Sequence, residues 1–360
     1  MKKLLFMLSV LGVLMIGCND DGFEDDTNPS RHSYNNPSGL PEPAANEIYY
    51  TTTDGFFIDF GDKEFYTMAV ASHTAKNDSI FVLKFTRNLG EIESLINLNF
   101  EDLKTLKSIR LPEGLISIGD NAFDGCFSLA RVTIPNSVTT IGYDAFCQCD
   151  SLRCINIPKS IAKIGSHAFY CCSLLSKVYI TDLGNWCKIN FYKGNSNPLN
   201  GAALYLNGKE IKNLVIPSSD SLTKIAPYAF RRCESVNSIA MHNNITEIGY
   251  SAFEGCDNLM QINIGNNVNI IGSESFRGCE SLTTVTIPEN VTSIGYEAFS
   301  GCDSVATIYC KATIPPRGGG GMFNYNAPGR KIYVPRESVD AYKVAGYWSD
   351  YADDIVGYDF

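Results

Sequence analysis

One sentence of sequence keeps returning along this chain, and it limits the fold more than any other feature. Leu282 to Cys302 reads Leu-Thr-Thr-Val-Thr-Ile-Pro-Glu-Asn-Val-Thr-Ser-Ile-Gly-Tyr-Glu-Ala-Phe-Ser-Gly-Cys, and edited copies begin at Leu129, Leu152 and Leu259. The Phe near its end falls at 123, 146 and 169, then at 230, 253, 276 and 299, with a step of 23 residues inside each group. Seven copies at a fixed period do not arise from composition. A unit this short cannot bury its apolar side alone, whereas stacked neighbours can, so the chain must coil into a solenoid.

Each part of the unit has a physical task. Val285 and Ile287 alternate with polar residues, so both point to the inner face of a short strand. Pro288 ends that strand because it has no N–H to donate. Val291 and Ile294 supply two more inward side chains on the returning arc. Gly295 is read as allowing a tight turn, Ala298-Phe299 as one short helical turn on the convex side, and Cys302 as the filler of a narrow gap. The strand motif recurs nine times, from Leu106, Leu129, Leu152, Leu175, Ile211, Val236, Leu259, Leu282 and Val305. Stacking should set these strands about 4.8 Å apart. The fold class expected is an α+β repeat: a leucine-rich-repeat solenoid with atypical N- and C-terminal caps.

The string Ile-Pro…Ile-Gly-x-x-Ala-Phe-x-x-Cys resembles the BspA-like leucine-rich repeat of bacterial surface proteins, over roughly Leu106 to Cys310. The resemblance implies a secreted or surface protein concerned with adhesion and host-protein binding.

The N-terminus reads as an export signal over residues 1–17. Lys2-Lys3 precedes an apolar run of thirteen, Leu4 to Ile16, too short for a spanning helix of about 20 residues. Met15-Ile16-Gly17-Cys18 looks like a lipobox, with Cys18 the lipidated residue and Met15 in place of the usual Leu; a plain secretory signal is the alternative. Residues 18–45 form an acidic, flexible tether. Its last 27 residues would reach roughly 30 Å on average. Acids directly behind Cys18 resemble a surface-export signal, so the outer membrane, facing the exterior, is the expected location, with the lipid as the only membrane contact.

Residues 46–105 do not fit the period. Ile48 to Phe60 reads as strand, Asp54-Gly55 turn and strand, and Ser79 to Thr86 as another strand, together an N-terminal β-rich cap. The solenoid proper spans 106–312. Within it, Phe169 to Phe230 is 38 residues longer than one repeat. Asn207-Gly208 marks a hairpin there, so the fourth repeat is expected to bulge out over residues 181–210 without interrupting the stack, with Trp186 plugging the base of the insertion; a binding hot spot is the alternative for Trp186. Residues 313–360 make the C-terminal cap, with Ile314 to Gly321 a loop, Ile332 to Pro335 a strand, and Ser338 the N-cap of a short helix packed on Trp348, Tyr351 and Ile355.

Net charge is −10, which argues against nucleic acid. Thirteen cysteines in an exported chain invite disulfides. Yet Cys126, Cys149, Cys172, Cys233, Cys256, Cys279 and Cys302 each stand three residues after the repeat Phe, as a column of buried thiols would. No Cys-x-x-Cys pair or spaced His suggests a metal, no cofactor motif is present, and the four histidines join no catalytic pattern. That leaves binding, by a monomer, to an unidentified host-matrix or bacterial surface protein. A glycan, or a spacer role without ligand, is the alternative. The side chains flanking the inward strand positions are the candidates: Arg131, Thr133, Asn156, Lys177, Tyr179, Asn213, Gln261, Asn263, Thr284, Thr286 and Tyr309.

Overall fold

The computed structural model describes residues 39–58, 70–76, 80–85 and 100–360. The export segment and lipobox, Cys18 included, lie outside these residues.

Two parallel ladders hold the turns together. The first uses the repeat strands. Leu106–Arg110, Arg131–Thr133, Cys154–Ile157, Lys177–Ile180 and Ala203–Leu206 pair in succession. Asn213–Val215, Ser238–Ala240 and Gln261–Asn263 form a second sheet, and Thr284–Ile287, Thr307–Cys310, Lys331–Pro335 and Ile355–Tyr358 a third. The other ladder is made of two-residue strands on the returning arc, such as Thr140–Ile141 beside Lys163–Ile164 and Ile270–Ile271 beside Ser293–Ile294. Val291 and Ile294 are buried, as the repeat pattern predicts, and Ile294 is also part of this second ladder.

Phe rings form a third column. From Phe100 to Phe169 successive centroids are 5.1–5.4 Å apart with near-parallel planes, and Phe230 to Phe299 repeat this at 5.1–5.2 Å. Offset stacks of this kind add to area burial. Phe323 closes the column at 5.9 Å from Phe299. The segment around each Phe is not the helical turn the pattern suggests. Two left-handed residues four apart, such as Glu297 and Gly301, bend it. Its N–H groups then donate to the next turn, as Phe253 N does to Ser275 O at 2.7 Å. Backbone polarity is thus satisfied between repeats as well as within them, where Cys256 N donates to Phe253 O at 3.3 Å.

Gly295 also differs from expectation. It is not left-handed; a Cβ there would lie 2.2 Å from Ser273 N. Glycine serves close approach of stacked backbones, not a turn conformation. Ala226 occupies the equivalent place because the turn beneath it is the atypical Cys187–Ile189 segment, whose Cys187 O accepts from Ala226 N at 2.8 Å.

The twelve described cysteines are all free thiols. The column has a polar reason beyond space filling. Cys126, Cys149, Cys172, Cys256, Cys279 and Cys302 each donate Sγ–H to the carbonyl of the Phe 26 residues earlier, at 2.9–3.3 Å. Asn326 Nδ2 takes over this bond to Phe299 O at 2.8 Å. Burial pushes the Cys233 thiol up to about 11 and holds Cys149, Cys256 and Cys279 well above the ordinary thiol range.

Residues 181–210 do not bulge out of the stack. Asn207-Gly208 does turn a hairpin, with Tyr205 opposite Glu210. The same strand, Ala203–Leu206, also continues the parallel sheet on Lys177–Ile180, so the insertion supplies one more turn. A short helix, Leu183–Trp186, replaces the Phe turn. Trp186 is fully buried, donates Nε1–H to Ala229 O at 2.8 Å and meets Phe191 edge-on. Neither ladder crosses this point, but the apolar core runs unbroken from Ile48 to Ile355.

Both open ends are covered. Glu47–Thr52 pairs antiparallel with Leu106–Arg110 and with Phe81–Phe85, which pairs with Val70–Ala75. At the other end Ser338 caps no N–H; its hydroxyl donates to Thr313 O at 2.7 Å, and the helix Val339–Val344 follows a single 3-10 turn. Trp348 and Tyr342 anchor it through Pro316 O and Ala312 O, both at 2.7 Å. The glycine run 318–321 is no free loop: Ile294 N donates to Arg317 O, Glu297 N to Gly320 O and Phe299 N to Met322 O, which makes it the turn of a further repeat. Helix is therefore scarce in this solenoid.

Phe253→Ala should lower stability by about 3–5 kcal/mol, the usual loss for a buried Phe, measured by the denaturant midpoint; a loss under about 1 kcal/mol would contradict its place in the stack. The column cysteines should resist alkylation in the native protein at pH 8, because six of them are buried and because raised thiol pKa values leave little thiolate at Cys149, Cys172, Cys233, Cys256 and Cys279. After denaturation without reductant all seven should alkylate, and crosslinked peptides in the mass spectrum would overturn the thiol column.

Candidate binding face

Each repeat strand sends two side chains away from the core, and parallel pairing lines them into rows. One row runs Ser108, Arg131, Cys154, Lys177, Ala203, and resumes with Asn213, Ser238, Gln261, Thr284, Thr307 and Lys331. The second runs Arg110, Thr133, Asn156, Tyr179, Tyr205, then Val215, Ala240, Asn263, Thr286, Tyr309 and Tyr333. Every candidate named from the sequence falls in one of these rows. Arg110, Tyr205, Tyr333 and Lys331 were not anticipated.

The rows are not uniformly open. Asn213, Gln261, Asn263 and Thr284 are exposed, whereas Thr133, Asn156 and Tyr179 are only 4, 8 and 6 % exposed. Asn156 is occupied internally: its Oδ1 accepts from Ile134 N at 3.1 Å and its Nδ2 donates to Ile134 O at 2.8 Å. Tyr179 is covered by Tyr205, with ring centroids 5.1 Å apart. Residues 40–42 lie close by, where Arg110 donates to Leu40 O at 2.7 Å and meets Glu42 at 3.7 Å. Together Glu42, Arg110, Thr133, Asn156, Tyr179 and Thr181 line a cleft of about 290 Å³ at the ends of the N-terminal strands.

The C-terminal part of the face ends in an aromatic cluster. Tyr309 stacks on Tyr333 at 5.2 Å, Tyr358 packs edge-on against both, and Phe360 reaches back to Tyr309. Lys311 Nζ lies 5.9 Å from the Phe360 ring centre. The alternation in Ile332-Tyr333-Val334 marks a strand in the sequence, but nothing there says that Tyr333 joins the row of Tyr309.

His167 Nδ1 is 3.7 Å from Asp144, between Tyr143 and Tyr170. Cys147 is nearby, but burial, with Asp124 and Asp144 beside it, pushes its thiol up to about 12, the reverse of an activated nucleophile. His242 Nδ1 accepts from Asn244 N, and His73 lies against the Tyr50 hydroxyl, its pKa lowered by burial. Among the described residues no three His, Cys, Asp or Glu side chains are placed to hold a metal, and no helix is long and apolar enough to cross a membrane.

The family model for the BspA type leucine rich repeat region matches six copies, over residues 76–197 and 201–318. Among solved structures the chain is similar to a leucine rich cell surface protein from Faecalibacterium prausnitzii, at 28% identity over 67% of this chain and 64% of that one, with a TM-score of 0.43. It is similar to a leucine-rich repeat protein from Bacteroides ovatus at 24% identity, over 70% of this chain and 66% of that one, with a TM-score of 0.45. The pneumococcal vaccine antigen PcpA matches at 20% identity, over 71% and 68%, with a TM-score of 0.45. The chain thus spans less than two thirds of the length of the first two. No curated protein matches it in sequence.

Asn156→Ala should cost about 1–3 kcal/mol, since it strips the buried Ile134 N–H and C=O of their partner. Asn263→Ala, at the open end of the same row, should stay within about 0.5 kcal/mol. Equal effects on thermal unfolding would mean that the two ends of the row are equally open.

Proposed function

Because the chain belongs to the BspA-type leucine-rich-repeat proteins, we propose that it is a cell-surface lipoprotein, anchored in the outer membrane through Cys18, whose sheet face holds another protein without any chemistry of its own. The observation that carries this reading is the C-terminal half of the face. Gln261, Asn263, Thr284 and Thr286 are uncharged, open or half-open, and lead into Tyr309, Tyr333, Tyr358 and Phe360. Neutral polar rows beside a tyrosine cluster suit a protein partner, since binding energy concentrates in such aromatics. Solenoids present surfaces of this kind to extended partners. The non-repeat strands over both sheet ends reduce edge-to-edge pairing, which suits a monomer. A matrix or bacterial surface protein is the partner class, and the acidic residues behind Cys18 support outward display.

Cys18→Ala should move the protein from the membrane to the soluble fraction; retention after a high-salt wash would remove the lipid anchor from this reading. The soluble chain should then bind members of an array of matrix and bacterial surface proteins. Asn263→Arg combined with Thr286→Arg should weaken that binding at least tenfold with an unchanged melting curve. Unchanged binding would place the partner elsewhere.

A further inference from the structure

The charge on the sheet face runs against the rest of the chain. The protein carries 39 acidic residues and a net charge of −10, yet the two outward rows over the eleven strands from Leu106–Arg110 to Lys331–Pro335 hold no Asp or Glu. They do hold Arg110, Arg131, Lys177 and Lys331. Lys107 and Arg153 add to these one residue earlier, in a row whose backbones are linked by Ala130 N to Lys107 O, Arg153 N to Ala130 O and Ser176 N to Arg153 O, at 2.8, 3.3 and 3.0 Å. Lys107, Arg131, Arg153 and Lys177 thus stand on four consecutive turns. At strand spacing they cover about 15 Å along the solenoid.

What sets these four cations apart is their alignment on successive turns. Several basic side chains off this face reach carboxylates, such as Arg231 to Glu254, Lys224 to Glu247 and Arg277 to Glu297, while others, such as Lys188 and Arg232, reach neutral groups. Lys107, Arg131, Arg153 and Lys177 have no ion pair among the described residues. The equivalent places on the next repeats are Lys212 and Asn213, Asn237 and Ser238, Met260 and Gln261, Thr283 and Thr284; only Lys212 is charged, and it lies 3.9 Å from Glu210. A run of cations on consecutive turns, beside strand rows that hold no Asp or Glu, is an anion-recognition surface.

We infer that this N-terminal half of the face binds a sulfated polysaccharide chain lying along the solenoid axis. The site goes beyond the protein-binding reading, since its ligand class and its residues are different. The direction follows from the array: a linear polyanion crossing the strands meets one cation per turn. An acidic peptide fits less well. The strands from Arg131–Thr133 to Lys177–Ile180 are paired on both sides, so no free backbone edge is offered for strand addition. Half-exposed Tyr205, beside the cleft that holds Thr133, Asn156 and Arg110, supplies the flat ring and polar groups a sugar uses.

The test uses the full soluble chain carrying Cys18→Ala and three probes: heparin, its desulfated form and polyglutamate. Heparin should bind by calorimetry, more weakly as NaCl rises because exposed charges are screened, and desulfation should abolish binding. Arg131→Gln with Lys177→Gln should weaken heparin at least tenfold, while Lys343→Gln, on the cap helix, should not. Both variants should melt like the parent, and the double variant should keep whatever matrix-protein binding the parent shows. No heparin binding by the parent, or heparin binding indifferent to the double substitution, overturns the site. Tighter binding of polyglutamate overturns the glycan assignment in favour of an acidic peptide. Loss of protein capture alone, with heparin binding intact, counts against the protein-binding reading and leaves this one standing.

Discussion

Every turn must lie within one strand spacing of the turn before it, and the rest of the molecule depends on that single distance. It is enforced by backbone hydrogen bonds between residues about 23 apart, on both ladders and at the Phe turn. It explains why Gly295 has no side chain, since a Cβ would strike Ser273. It explains why Phe rings stack and why each thiol finds a carbonyl from an earlier repeat. A solenoid held this way has stability that is nearly a sum of neighbour terms, so each repeat position is tested against its own copy.

This is also why so much was legible in the sequence. A residue that must meet its own copy leaves a period, and the Phe, Cys, Ile and Val columns follow from it directly. What escaped did so for local reasons. Phe100 lies 23 residues before Phe123, but Leu103 stands where a Cys would, so the unit looked like cap. Phe323 follows Phe299 by 24 residues behind a glycine run with no Ile-Gly, yet the backbone pairs as in any other turn. The Asn207-Gly208 hairpin signal does not reveal the parallel partner of Ala203–Leu206, because it describes only the neighbour that follows.

The face was legible as rows but not as a surface. Asn156 and Asn263 occupy the same repeat position, and alternation treats them alike. The first is buried against Ile134 and the second is open. What separates them is the company of other strands and of residues 40–42, information that no single repeat contains. The charge asymmetry was present in the sequence throughout, but it shows only when the outward positions are read apart from the turns that hold the acids.

The interruption at residues 181–210 has a mechanical meaning. On either side each pair of turns is joined by at least one ladder of backbone bonds; where the strand ladder breaks between Gln261–Asn263 and Thr284–Ile287, the arc ladder continues from Ile270–Ile271 to Ser293–Ile294. Across it the junction rests on apolar packing and on isolated bonds, among them Trp186 to Ala229 O, Asn197 to Tyr228 O, Ala226 N to Cys187 O and Gly201 N to Arg232 O. A pull applied to the two ends of the solenoid would pass through that junction. The ladders share load over many parallel bonds; the junction does not. It is the compliant link in an otherwise stiff rod, where the two halves of the face could be drawn apart without either losing its rows.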